Sequence, residues 1–231
     1  MRLTIGGTNR RELTSHQTVS GSMPVVLCVV FDTTGSMLSY IEGLINCVKE
    51  MTRSMALVGI EWSMTVVPFG DLRISGDTIN TDFPWVSTVC DVSNMLDSMP
   101  RNSGGGNGGE SAFEAIDASV GRLRDRSDAA KVLLLLTDEG AHHDNFSDDE
   151  IAAHLVKDDV LVYAVAPSSH DYYNRFALIT GGEFLEISSQ VDLSVVTSKM
   201  THLGRKIAER ANQVMLTGGS PQRLLALETG Q

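Results

Sequence analysis

The stretch Val25-Val26-Leu27-Cys28-Val29-Val30-Phe31-Asp32-Thr33-Thr34-Gly35-Ser36 carries an architectural signal and a chemical one in twelve residues. Its first seven positions are continuously apolar and rich in β-branched side chains. A strand with one wet face would alternate, so this one is read as buried on both faces, the habit of a parallel sheet covered by helices. The residues that follow are oxygen-rich and end in a loop. Directly after it, residues 36–57 place Met37, Ile41, Leu44, Ile45, Val48, Met51 and Met55 three and four positions apart, one stripe of an amphipathic helix.

Working outward, strand and helix signals alternate. A second strand is expected over residues 60–68, a short edge strand of antiparallel sense over 77–85, and a helix over 92–99. The cluster Gly104-Gly105-Gly106-Asn107-Gly108-Gly109 must be a loop, because glycine loses the most freedom on ordering. Helices follow at 110–123, 148–156, 171–179 and 193–214, with strands at 132–136, 160–166 and 183–187 between them. Ser147-Asp148-Asp149-Glu150 supplies an acidic cap to the second of these helices. The expected fold is therefore α/β, a doubly wound, mostly parallel central sheet flanked by helices, Rossmann-like in outline. In such sheets ligands collect beyond the carboxyl ends of the strands. Residues 1–22 are read as an N-terminal arm, 23–216 as a single domain, and 217–231 as a flexible, unstructured tail.

Bulk properties narrow the function. The chain has 231 residues, 42% hydrophobic and 20% charged, enough to bury a real core. Its formal net charge of −11 argues against sequence-independent nucleic-acid binding, which needs Lys and Arg on phosphates. No run approaches the length of a membrane span and the first residues lack the apolar core of a signal peptide, so a soluble, cytoplasmic protein is expected. Cys28, Cys47 and Cys90 are odd in number and lack a CxxC spacing, which predicts buried free thiols. His142-His143-Asp144 is read as a solvated loop, since adjacent histidines do not readily share one ion.

Three segments reach the expected carboxyl edge with hard oxygen ligands: Asp32, Thr34 and Ser36 after the first strand, Glu110 after the glycine cluster, and Thr137-Asp138 after the strand at 132–136. Such a set suits a hard cation. Taken singly, Asp32 is also a natural helix N-cap and Glu110 a favourable charge at a helix start.

The segment Asp32-Thr33-Thr34-Gly35-Ser36-Met37 resembles the first motif of the metal-ion-dependent adhesion site (MIDAS) of von Willebrand factor A-type domains, with Thr34 where Ser is commoner. Gly109-Glu110-Ser111-Ala112-Phe113-Glu114-Ala115-Ile116 is similar to the integrin β-subunit version, in which Glu supplies the second-loop ligand. Leu135-Leu136-Thr137-Asp138-Glu139-Gly140-Ala141-His142 resembles the third motif, whose Asp usually reaches the metal through water. The resemblance spans about residues 24–214 and looks closest to intracellular bacterial and α-kinase-linked A-type domains. In those, an aromatic residue near an Asp follows the second strand, as in Pro68-Phe69-Gly70-Asp71, which gives Asp71 a supporting role. Asn107 stands where an Asp is common, so a second adjacent cation is not implied.

What the resemblance implies is a module that holds Mg²⁺, or Mn²⁺ or Ca²⁺, through Asp32, Thr34, Ser36, Glu110 and Asp138, with Asp71, Asn107 and Thr137 in support. An Asp or Glu of a partner protein would complete the ion. Two other functions compete. A phosphoryl hydrolase with Asp32 as nucleophile would want a carboxylate two residues on, where Thr34 stands. A structural or regulatory subunit with a vestigial site, working beside AAA+ ATPases, kinases or phosphatases in stress-response or defence systems, would show no response to metal.

Overall fold

A computed structural model describes residues 24–104, 106, 108–187, 193–216 and 221–229. The proposed arm and the Asn107 assignment lie outside the described residues. The element order is β1 (Val25–Asp32), α1 (Leu38–Val58), β2 (Trp62–Phe69), α2 (Val89–Asp97), α3 (Ala112–Arg124), β3 (Ala130–Leu136), α4 (Asp148–Lys157), β4 (Val160–Ala166), α5 (Asp171–Thr180), β5 (Glu183–Glu186), α6 (Leu193–Leu216) and α7 (Pro221–Thr229). The five strands form one sheet in the order β2-β1-β3-β4-β5. Every pairing between them is parallel.

All eight residues of β1 are buried, and the strand divides two cores. Val25, Leu27, Val29 and Phe31 face one core, shared with Met37, with the Ile41 to Met55 stripe of α1 and with Met200, Leu203 and Ile207 of α6. Val26, Cys28 and Val30 face the other, built with Phe113, Ile116 and Val120 of α3, Ile151 and Leu155 of α4, and Tyr173 and Phe176 of α5. A strand apolar at every position is what two covered faces require. Local signals set the helix ends: Gly59 closes α1 with a left-handed φ of 75°, and Ser147 and Glu150 form a reciprocal capping box on α4.

Several expectations change. Residues 77–85 make no strand; isolated antiparallel bridges join Phe69 to Ile79 and Met64 to Val86. Pro68 explains the gap. Its carbonyl accepts from Asn80 N at 3.0 Å, but its ring nitrogen has no proton to return along that outer edge. Beyond residue 217, where a tail was expected, Pro221 opens α7, and Leu224 of that helix is buried in the first core. Proline is at home in a first helical turn. All three cysteines are free, but Cys90 is exposed on α2 rather than buried.

Candidate metal centre

The strand order reverses between β1 and β3: the chain leaves β1 for β2 on one side and later returns to place β3 on the other. Such a reversal opens a crevice at the carboxyl ends of the two strands. Asp32 ends β1 there, and Thr137 and Asp138 follow β3.

The oxygens of these loops form a continuous line. Asp32 Oδ1 accepts from Thr34 N at 3.0 Å and from Thr34 Oγ1 at 2.7 Å. Thr34 Oγ1 lies 3.1 Å from Ser36 Oγ, which donates to Asp138 Oδ1 at 3.0 Å. Thr137 Oγ1 donates to Asp32 Oδ2 at 2.8 Å. Asp32 does not cap α1, whose N-cap is Met37, with no side-chain cap bond.

Glu110 arrives differently from the expected helix start. It lies two residues ahead of α3, in a parallel bridge with Ala141, donating its N–H to Gly140 O and accepting from His142 N, both at 2.9 Å. That pairing ties the second loop to the third through the backbone. Its carboxylate is buried, and Oε2 has no hydrogen-bond partner among the described residues. With Ser36 and Glu139 it lines a cavity of about 200 Å³ whose walls include Gly35, Gly104 and Gly109.

The electrostatics follow from crowding acids in a dry place. Burial pushes the Asp32 carboxyl up to about 6, against the pull of the Thr34 and Thr137 hydrogen bonds, with Asp138 adding repulsion. Burial and then the charges of Asp32, Asp71, Asp77 and Glu139 push Glu110 up to about 8. Burial also raises Asp138, although the Ser36 bond opposes it.

Asp71 is fully buried beside the site; its Oδ1 accepts from Arg73 N at 2.9 Å and stands 3.5 Å from His142 Nε2. The expected solvated loop holds for His143 and Asp144, which are exposed, but not for His142, which is 7% exposed: Gly109 leaves room for its ring, and a Cβ there would lie 2.7 Å from Nδ1. Two residues escaped the sequence reading. Asp77 Oδ1 accepts from Ser103 N and Oγ, both at 2.8 Å, and Asp77 Oδ2 from Gly104 N at 2.9 Å and Asp71 N at 3.2 Å. Asn102 donates to Thr33 Oγ1 at 2.9 Å and accepts from Thr78 N at 3.1 Å. Neither belongs to a motif or a periodic stripe.

Among the described residues no three His, Cys, Asp or Glu side chains stand close enough to hold an ion by themselves. The set here is mixed. Three hydroxyls give their protons to carboxylates, which leaves lone pairs of Thr34 and Ser36 to face a cation while Thr137 Oγ1 also accepts from Glu139 N at 3.2 Å, and Glu110 Oε2 is a buried acceptor with nothing to accept from among the described residues. Buried carboxylates with raised pKa values and an orphaned oxygen fit a hard positive charge.

The family model of the von Willebrand factor type A domain matches residues 27–195. A comparison with curated protein sequences finds no significant match. Among solved structures, proximal thread matrix protein 1 from the mussel byssus, described with a zinc-occupied MIDAS motif, superposes at a TM-score of 0.62 and 16% identity, covering 81% of this chain and 46% of that one. A second crystal form of the same protein gives 0.57 with the same identity and coverage. The likeness is one of fold, and this chain spans about half of that protein, 46% of its length.

Proposed function

Because the chain belongs to the von Willebrand factor type A domain family, we propose that it is a divalent-cation-dependent protein-binding module that recognises an Asp or Glu of a partner. The observation that carries the reading is the unpartnered, buried Oε2 of Glu110 beside a line of oxygens from Asp32, Thr34, Ser36 and Asp138. Those five residues would hold the ion, with Thr137 orienting Asp32 and Asp71 supporting the neighbouring loop. A bound divalent cation supplies a compact positive charge with a coordination position for a partner's carboxylate oxygen.

An all-oxygen donor set favours Mg²⁺, Mn²⁺ or Ca²⁺ over softer ions. Binding is favoured over catalysis by Thr34. Its hydroxyl donates to Asp32, so no carboxylate stands two residues on to exchange a proton with substrate. Among the described residues no helix is long and apolar enough to cross a membrane.

The test is a thermal melt with Mg²⁺, Mn²⁺ and Ca²⁺, paired with affinity capture in the presence and absence of chelator. Saturation at 100 times the dissociation constant adds about 2.7 kcal/mol, or roughly 5 to 10 °C for a domain of this size. Asp32→Ala should abolish the shift and the chelator-sensitive capture. No shift with any of the three ions overturns the reading in favour of a structural subunit.

A further inference from the structure

Asp77 lies between β2 and α2, is 9% exposed, and is absent from the set of oxygens that would hold a cation. Four donors converge on its carboxylate: the Ser103 and Gly104 peptide N–H groups, the Ser103 hydroxyl and the Asp71 N–H. A carboxylate whose lone pairs already face four protons is a poor cation ligand. Burial works to raise its pKa, but those hydrogen bonds outweigh burial and hold it below the usual carboxylate range, so it stays ionised.

What Asp77 grips is a turn in direct contact with two candidate ligands. Gly104 has a φ of +70°, and a Cβ on it would lie 2.9 Å from Thr34 Cβ and 3.0 Å from Glu110 Oε1. The carbonyl of Ser103 faces the other way and accepts from Gly35 N at 3.1 Å. Asn102 N, one residue earlier, donates to Thr33 O at 3.0 Å, and its side chain bonds the Thr33 hydroxyl. The two-residue turn is thus wedged between Asp77 on one side and the Thr34 and Glu110 side chains on the other. Any shift of Ser103-Gly104 presses on Thr34 or withdraws from Glu110.

We infer that Asp77 is a positioning residue, which sets the separation of Thr34 from Glu110 through Ser103 and Gly104 and thereby tunes the cation affinity of the centre without touching the ion. The inference rests on the cation-binding reading of that centre. It adds a determinant of affinity in a loop that supplies none of the proposed ligands.

The experiment measures Mn²⁺ affinity by calorimetry, and the Mn²⁺ electron paramagnetic resonance line shape, on the full chain as wild type, Asp77→Asn and Asp77→Ala. Each protein is also melted without metal. Loss of a supporting hydrogen-bond partner should weaken Mn²⁺ binding about 10- to 100-fold in Asp77→Ala and change the line shape. Asp77→Asn should fall between, because its amide oxygen still accepts from Ser103 while its NH₂ faces Gly104 N. Should Asp77→Ala fail to fold, the isosteric Asp77→Asn carries the test alone. A merely structural Asp77 lowers metal-free and metal-saturated melting equally and leaves affinity and line shape unmoved, which overturns the inference. A wild-type protein that binds no Mn²⁺ overturns the cation reading and the inference together. A wild type that binds, with variants that bind as tightly, overturns this inference alone.

Discussion

Ser36 Oγ donates to Asp138 Oδ1 at 3.0 Å across 102 positions of sequence, joining the loop after β1 to the loop after β3. The bond is exposed, so its loss in Ser36→Ala should cost the metal-free protein only about 0.5 to 1 kcal/mol. The effect on the metal response should be larger. A tenfold loss of affinity removes roughly half of an increment of about 2.7 kcal/mol at fixed Mg²⁺ concentration. Melting curves of both proteins with and without Mg²⁺ decide it, and an unchanged increment removes Ser36 from the ligand set.

Glu110→Gln should move two observables in opposite directions. At pH 9 the wild-type carboxylate is charged, buried and repelled by Asp32 and its neighbours. The neutral amide escapes that repulsion, so the metal-free variant should melt higher by a few degrees, about 1 kcal/mol. Its Mg²⁺-induced shift should vanish. A variant that melts lower without metal at pH 9 would refute this account of the buried acid.

The pH dependence of the metal-free protein follows from the same raised carboxyls. Above about pH 4.5 the unfolded chain has released protons that folded Asp32 and Glu110 still hold, so it binds fewer protons than the native state. Stability then falls as pH rises. The loss continues until Asp32 titrates at about 6 and Glu110 at about 8. Metal binding needs the deprotonated forms, so saturating Mg²⁺ should flatten the decline and give its largest shift at the alkaline end. Chemical denaturation at pH 5, 7 and 9 with EDTA or Mg²⁺ measures both slopes, and a metal-free protein that gains stability from pH 5 to 9 contradicts the assignment.

Two glycines test the packing. Gly204 lets α6 lie against α1, where a Cβ would come within 2.5 Å of Met51 O. Gly204→Ala should therefore cost about 1 to 3 kcal/mol, as overpacking usually does. Gly121 sits in α3 with nothing within 4 Å of a built Cβ. Gly121→Ala should gain about 0.5 to 1 kcal/mol from helix propensity and a less disordered unfolded chain. Urea midpoints of the two variants should straddle that of the wild type.

The parallel sheet was legible because strands buried on both faces have no choice of residue type: Val25 to Phe31 could be read from seven letters, and the α1 stripe from its spacing. Asp32, Thr34, Ser36 and Asp138 were legible because each sits within four residues of a strand end, where chain order alone places it at the carboxyl edge. Residues 77–85 misled because Ile79, Phe83 and Trp85 mimic alternation, while the missing proton on Pro68 is a property of the neighbouring strand. Asp77 and Asn102 left no trace, since apart from the one to the Asp71 N–H their side-chain bonds reach residues 24 to 69 positions away. His142 was misread because its burial depends on the absence of a side chain at Gly109, which cannot be inferred from the histidine itself. The α7 helix hid behind a glycine- and serine-rich approach that resembles a linker.

Backbone bonds clasp the rim of the centre into two halves: Thr33 and Gly35 with Asn102 and Ser103, and Glu110 with Gly140 and His142. Between these halves runs the dipeptide Phe69-Gly70, whose carbonyls accept from Thr33 N at 3.0 Å and from Ser111 N at 3.3 Å, and the side-chain bonds of Ser36 to Asp138 and of Thr137 to Asp32 cross as well. That dipeptide therefore acts as a gauge for how wide a sphere the two halves can close upon, and a single insertion there should change the ionic radius the protein prefers while leaving every donor atom in place.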